Sequence, residues 1–205
     1  MPAETGALLL GAGFSRRYGA RDKRMEPLSG SSVASTTLRT YSQIFDHVAV
    51  VIREDDDLLA EHLADTQAEL IRTDQAHLGM GHTLAAGARY AQQASWAFAC
   101  VGLMDMPFIK AASLLELQDA STNLAPNFQA IRFLDPHSQQ PGPTHPVLWR
   151  QTCFTNLAAC AGDSGGRSVF QALQKQAQVQ WLPTTDAGVM RDIDTPADLQ
   201  DPDEQ

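Results

Sequence analysis

The chain has 205 residues, an apolar fraction of 43% and a net charge of −9. That length carries one domain with a full hydrophobic core, and the acidity argues against a general nucleic-acid binder. No apolar stretch approaches the ~20 residues that span a bilayer, and Met1-Pro2-Ala3-Glu4 shows no basic leader, so neither membrane span nor signal peptide is expected.

Ala7-Leu8-Leu9-Leu10 is a continuous apolar run, the mark of a strand buried on both faces. A Gly- and Arg-rich loop follows to about Gly30. Ser31 or Ser32 can cap a helix whose apolar face is Ala34, Leu38, Tyr41 and Phe45. Val48 to Ile52 is a second buried strand, Leu58 to Ala64 reads as helical, and Leu70-Ile71 marks a short third strand. Gly79 to Thr83 reads as a flexible loop, with Thr83 capping a helix that carries Leu84, Ala88 and Ala91. Ala97 to Val101 is the next strand, and Ala112 to Gln118 the next helix. Strands alternating with helices predict a mostly parallel sheet covered on both faces.

Beyond Asn127-Phe128-Gln129-Ala130-Ile131 the pattern is less regular. Residues 135–146 hold four prolines and a glycine and are expected to form a loop. A strand near Val147-Leu148 comes next, then helices around Leu157 and Val169–Leu173. Val179 and Trp181 alternate with polar residues as in a half-exposed strand. One domain over residues 1–199 with a disordered tail at 200–205 is expected. Cys100, Cys153 and Cys160 are odd in number and lack C-x-x-C spacing, which disfavours a disulfide framework or a zinc site and fits a reducing cytoplasm.

Four segments carry chemistry. Gly11-Ala12-Gly13-Phe14-Ser15 comes after the first strand, where open α/β sheets bind ligands. Glycines let backbone N–H groups wrap a phosphate, and Arg17 and Lys23 supply charge. Arg16, Arg17, Arg21, Lys23 and Arg24 are five of the fifteen basic residues, packed into nine positions, which suggests a local anion site; a solvated charged loop is the plainer alternative. Arg16 stands where a dinucleotide fingerprint needs its third glycine, and no helix begins at once, so that motif fails.

In the second segment, Met104-Asp105-Met106-Pro107, one carboxylate stands just past a buried strand, as a hard cation such as Mg²⁺ prefers; a turn-capping Asp is the alternative. In the third, Asp192 and Asp194 share one side of an extended segment, with Thr195 or Asp194 able to cap the helix begun by Pro196. The fourth, Gly79-Met80-Gly81-His82-Thr83, places a helix N-terminus where it can donate to a base, ribose or phosphate; alone it reads more readily as a simple turn.

Together these segments resemble molybdenum cofactor cytidylyltransferase and its relatives. The matching stretches are Gly11-Ala12-Gly13-x-Ser15-x-Arg17-x-Gly19, Gly79 to Leu84, Met104 to Pro107, Thr144-His145-Pro146-Val147, Gly162 to Arg167 and Asp192-Ile193-Asp194-Thr195-Pro196, in order along the chain. The resemblance implies a Rossmann-like, GT-A-like nucleotidyltransferase fold. That fold is a three-layer α/β sandwich around a mixed, mostly parallel sheet of about seven strands. It also implies that a phosphate on molybdopterin attacks the α-phosphorus of CTP and that pyrophosphate leaves. Asp105 and Asp194, supported by Asp192, would hold Mg²⁺. Arg17 and Lys23 would neutralise the triphosphate, and the 11–15 backbone would cradle it. Gly79, Gly81 and Thr83 would touch the nucleoside, and His145, Asp163 and Arg167 would face the acceptor. A structural role is the alternative for His145. A molybdoenzyme client is a further implied partner.

Ala12, where related guanylyltransferases carry Gly, narrows the pocket toward a pyrimidine. Three positions depart from the family: Gly11 for Ala, Thr144 for Gly, and Met104 for Gly, where a side chain is expected to crowd the triphosphate. A sugar-phosphate nucleotidyltransferase and a non-catalytic cofactor escort are the rival readings.

Overall fold

The computed structural model describes residues 4–15, 18 and 21–200. Arg16, Arg17, Gly19 and the tail at 201–205 lie outside the described residues. The first strand, β1 (Thr5–Leu10), takes in the apolar run at 7–10. The segment read as one long loop has order of its own: a 3-10 turn at Lys23–Met25, then a small hairpin of β2 (Pro27–Leu28) and β3 (Ser31–Ser32). Helix α1 (Val33–Ser42) is capped by Ser32, whose hydroxyl accepts from the Ser35 N–H. Phe45 lies beyond its end but is buried in the core.

Strand β4 (Val48–Arg53), helix α2 (Asp57–His62) and strand β5 (Glu69–Thr73) come next, as the sequence predicts. Helix α3 (Met80–Gln93) begins at Met80, earlier than expected. Then come β6 (Phe98–Leu103), α4 (Ala111–Thr122), β7 (Ala130–Phe133), β8 (Val147–Arg150), α5 (Phe154–Ala158), α6 (Arg167–Lys175) and β9 (Val179–Leu182).

Seven strands form one sheet in the order β5-β4-β1-β6-β8-β7-β9. Only β8 runs against its neighbours β6 and β7; the other pairings are parallel. Alternate residues of the central strands feed two cores. Ala7, Leu9, Val50 and Ile52 face α1, α2 and α4 through Leu38, Tyr41, Leu59 and Leu114. Leu8, Ala49 and Val51 face α3, α5 and α6 through Leu84, Leu157 and Phe170. Each such side chain, once buried, contributes about 1.5–3 kcal/mol. The result is a three-layer sandwich with a mixed, mostly parallel sheet. Among the described residues no helix is long and apolar enough to cross a membrane.

One glycine in the central sheet is fixed by close approach. A Cβ on Gly102 of β6 would sit 2.1 Å from the Tyr41 hydroxyl oxygen and 3.2 Å from a Leu9 methyl. Tyr41 is fully buried and cannot swing into solvent. Gly102→Ala is therefore expected to destabilise the fold by about 1–3 kcal/mol, lowering Tm by roughly 2–4 °C for each kcal/mol. Thermal denaturation followed by circular dichroism checks this, and an unchanged melting curve would contradict the packing described.

Candidate active site

The parallel strands β1, β4 and β6 end on one edge of the sheet, so the segments after them meet there. Gly11 still pairs with β4, its N–H donating to the Val51 carbonyl at 2.8 Å. Past it the chain turns away at Ser15, whose φ of 51° is left-handed. The Ser15 hydroxyl donates to Asp22 Oδ1 at 3.3 Å and accepts from the Lys23 N–H at 3.3 Å. Asp22 in turn caps the 3-10 turn, accepting from the Arg24 N–H at 3.0 Å. These bonds close the loop on itself and set where Lys23 and Arg24 point.

Asp105 comes just after β6. Its carbonyl accepts from the Ile193 N–H at 2.9 Å, which brings the 192–194 segment alongside. The capping role falls on Thr195 and Asp198, which form a reciprocal box at Pro196–Leu199, so neither Asp192 nor Asp194 is used as the cap. Lys23 Nζ lies 2.5 Å from Asp105 Oδ2 and 3.3 Å from Asp194 Oδ1. Burial opposes the charge on Lys23, yet Asp105 and then Asp194 outweigh it and raise its pKa. Burial, followed by the charges of Asp105 and Asp194, raises the Asp192 carboxyl above the usual range.

Two carboxylates thus converge on one cation. The expected three-carboxylate metal set is not formed: among the described residues, no group of three or more His, Cys, Asp or Glu is arranged to hold a metal. The Lys23 ammonium lies between Asp105 and Asp194, while Asp192 makes no ion pair with it but feels the charges of both carboxylates.

A cleft of about 550 Å³ opens over this edge, a volume in the range of small-molecule sites. Of the residues singled out in the sequence, Gly11, Ala12, Gly13, Phe14, Ser15, Lys23, Gly79, Thr83, Asp105 and Asp163 line it. Gly81, His145, Arg167, Asp192 and Asp194 do not.

The 79–83 segment is helix, not loop. Gly79, at φ 116°, is the residue before α3, and Thr83 is a buried member of the first turn, so Thr83 is not the cap. The reason is packing. A Cβ on Gly79 would lie 2.5 Å from the Gly162 carbonyl, and one on Gly81 would lie 2.6 Å from the Ala161 backbone. Bare backbone lets the 3-10 turn at Gly162–Ser164 press against the start of α3, and this carries Asp163 to the cleft. Gly81 is thus held to glycine by helix packing and lies outside the cleft lining.

His145 is buried outside the cleft lining. Its N–H donates to the Val189 carbonyl at 2.7 Å, and burial, then the charge of Arg132, brings its pKa down to about 4, so the ring is neutral near pH 7. Its Nδ1 is buried without a partner among the described residues. Thr144 is fully buried; its hydroxyl donates to the Phe133 carbonyl at 2.6 Å, and its carbonyl accepts from Arg132 Nε at 2.7 Å. Arg167 is exposed at the first turn of α6, away from the cleft. Met104 lines the floor of the cleft, but it is 1% exposed and packs into the core, its carbonyl accepting from the Thr37 hydroxyl at 3.0 Å.

Three charged residues beneath the loop were given no role by sequence reasoning. Arg24 is 2% exposed, lines the base of the cleft and donates to the Gly11 carbonyl and to Asp56. Asp56 is 4% exposed. Arg53 donates to the Gly13 carbonyl at 2.8 Å, and its guanidinium lies over the Phe14 ring. In the sequence Arg24 is one charge of the basic loop and opens the stretch Arg24-Met25-Glu26-Pro27-Leu28 that continues the nucleotidyltransferase signature.

A glycine loop, a lysine and paired aspartates at the carboxyl edge of such a sheet define an α/β protein built to handle a phosphorylated nucleotide. The chain belongs to the MobA-like NTP transferase domain family, which matches residues 7–179, and it is a nucleotidyltransferase. No curated protein matches it. Rv0371c from Mycobacterium tuberculosis, a structure also solved with manganese, superposes at a TM-score of 0.78 with 21% identity over 97% of this chain and 96% of that one. A nucleotidyl transferase from Methanothermobacter, Mth528, gives 0.77 at 17% identity, over 95% and 94%. CMP:2-keto-3-deoxy-manno-octonic acid synthetase, solved with CTP, gives 0.68 at 13% identity, over 95% of each chain. At these identities the likeness shows the fold.

Proposed function

We propose that the chain transfers CMP from CTP to the terminal phosphate of molybdopterin, releasing pyrophosphate. The observation that carries this reading is the Lys23 ammonium held between Asp105 and Asp194 at the edge of a cleft walled by the Gly11–Ser15 backbone. The six motifs in register support the choice of acceptor. The free thiols of Cys100, Cys153 and Cys160 support a reducing cytoplasm as its place.

The two carboxylates fit a divalent cation. Both offer hard oxygen donors, and they already converge on a single positive charge. In this reading Asp105 and Asp194 hold Mg²⁺, with Asp192 beside them, and the ion supplies neutralising charge to the triphosphate. The manganese bound by Rv0371c and the CTP bound by the synthetase accord with that assignment. The protein's own part is positioning and charge. Backbone N–H groups of the 11–15 loop hold the phosphates. Lys23 turns from the aspartates to the triphosphate. An acceptor phosphate oxygen forms a bond to the α-phosphorus, and the α–β bridging bond breaks, its electron pair leaving with pyrophosphate. Asp163 stands at the cleft rim for the acceptor.

CTP is expected to bind at least tenfold more tightly than GTP with Mg²⁺ present. Ala12 is buried in the cleft wall, and its methyl narrows the space a purine would need. Shape discrimination by so small a group is worth about 1–3 kcal/mol, and tenfold corresponds to ~1.4 kcal/mol. Calorimetric titration of both nucleotides tests this; equal affinities or a preference for GTP would overturn the cytidylyl assignment. Pyrophosphate release in the presence of CTP, Mg²⁺ and molybdopterin tests the acceptor.

A further inference from the structure

The carbonyls of Gly11 and Gly13 are each held by a guanidinium, and one buried carboxylate joins the two. Arg24 Nη1 donates to the Gly11 carbonyl and, at 2.7 Å, to Asp56 Oδ2. Arg53 Nη1 donates to the Gly13 carbonyl at 2.8 Å, and Arg53 Nη2 lies 3.0 Å from the same Asp56 Oδ2. Burial works against the charge on Arg24, but the bonds and charge of Asp22, with Asp56, keep it protonated. Asp56 stands just before α2 and makes no side-chain capping bond there, so its carboxylate serves the two arginines.

A trans peptide is planar, with its N–H opposed to the preceding carbonyl. Holding the carbonyls of residues 11 and 13 toward the arginines therefore turns the N–H groups of Ala12 and Phe14 the other way. Alternate carbonyls tied back and alternate N–H groups turned out is the arrangement that makes a backbone concavity for an anion. Glycine at 11 and 13 makes these peptides easy to rotate, so an outside restraint is needed to choose one orientation.

We propose that Asp56 is the positioning residue of the triphosphate loop: through Arg24 and Arg53 it fixes the 11–12 and 13–14 peptide planes for phosphate binding. It touches no substrate. The proposal rests on the reading of the cleft as a CTP site, and it separates cleanly from a plain charge effect. Asp56→Asn removes a negative charge beside an anion site. If charge alone mattered, CTP would bind more tightly. If Asp56 positions the loop, CTP binds at least tenfold more weakly. Arg53→Lys keeps the charge but loses the fork that spans Asp56 and Gly13 together, and it too is expected to weaken CTP severalfold. Because Arg53 lies nearer the surface than Asp56, that variant keeps the test available should Asp56→Asn fail to fold.

The measurement is calorimetric titration of CTP with Mg²⁺ into parent, Asp56→Asn and Arg53→Lys, with melting temperatures taken alongside. Failure of the parent to bind CTP would sink the nucleotide reading itself. Parent binding with unchanged or tighter binding in folded variants would sink the positioning role alone. A lower Tm with unchanged CTP affinity would leave Asp56 as a purely structural residue.

Discussion

Asp105→Asn is expected to cut pyrophosphate release at least a hundredfold while leaving the melting temperature nearly unchanged. Asparagine keeps the shape of the side chain and can still accept from Lys23, but it removes the charge proposed to hold the divalent cation. Deleting one group that stabilises charge in a transition state costs about 10²–10³ in rate. Stability is expected to change little because the asparagine oxygen can still accept from Lys23, which also retains Asp194. The tie that holds the neighbouring segment, Ile193 N–H to the Asp105 carbonyl, is backbone and survives. Initial rates with CTP, Mg²⁺ and molybdopterin give the answer, and turnover within a few-fold of the parent would remove Asp105 from the metal role.

The strands that build the site were legible because each is short, continuous and apolar. Residues 7–10 and 48–52 have no amphipathic alternation, and the structure buries both of their faces. The residues just past β1 and β6 were legible as chemistry too, since a glycine pair and a carboxylate before a proline have few other uses at a strand end. Two kinds of information were not local enough to read. The start of α3 was obscured because Gly79 and Gly81 look like breakers, whereas they are small so that the 161–163 backbone can approach, more than 75 positions away in the chain. The Arg24–Asp56 pair spans 32 positions, and nothing in the charged run at 53–57 distinguishes the one aspartate that turns inward. His145 shows the converse: its motif suggested a substrate contact as readily as a structural role, and it is buried beside Arg132 outside the cleft lining. Met104, the departure from the family that looked most disruptive, is 1% exposed and packed into the core at the floor of the cleft.

Lys23→Met is expected to change nucleotide and metal binding in opposite directions. In the free protein the ammonium lies against both aspartates proposed for the cation, and its side chain is only 12% exposed. A divalent ion arriving alone must compete with that charge. An ion arriving with a triphosphate need not, because the triphosphate offers Lys23 a stronger partner than two carboxylates already shared. Hydrogen bonds to charged groups are worth about 1.5–3 kcal/mol, so losing the one to the triphosphate is expected to weaken CTP roughly ten- to a hundredfold. The residual affinity should also depend less steeply on salt, since one screened charge has gone. Methionine keeps the length and apolar stem of lysine while freeing Asp105 and Asp194. Mn²⁺ added without nucleotide, followed by its electron paramagnetic resonance signal, is therefore expected to bind the variant more tightly than the parent. Tight Mn²⁺ binding by the nucleotide-free parent, or CTP affinity unchanged in the variant, would mean that Lys23 neither guards the carboxylates nor meets the phosphates.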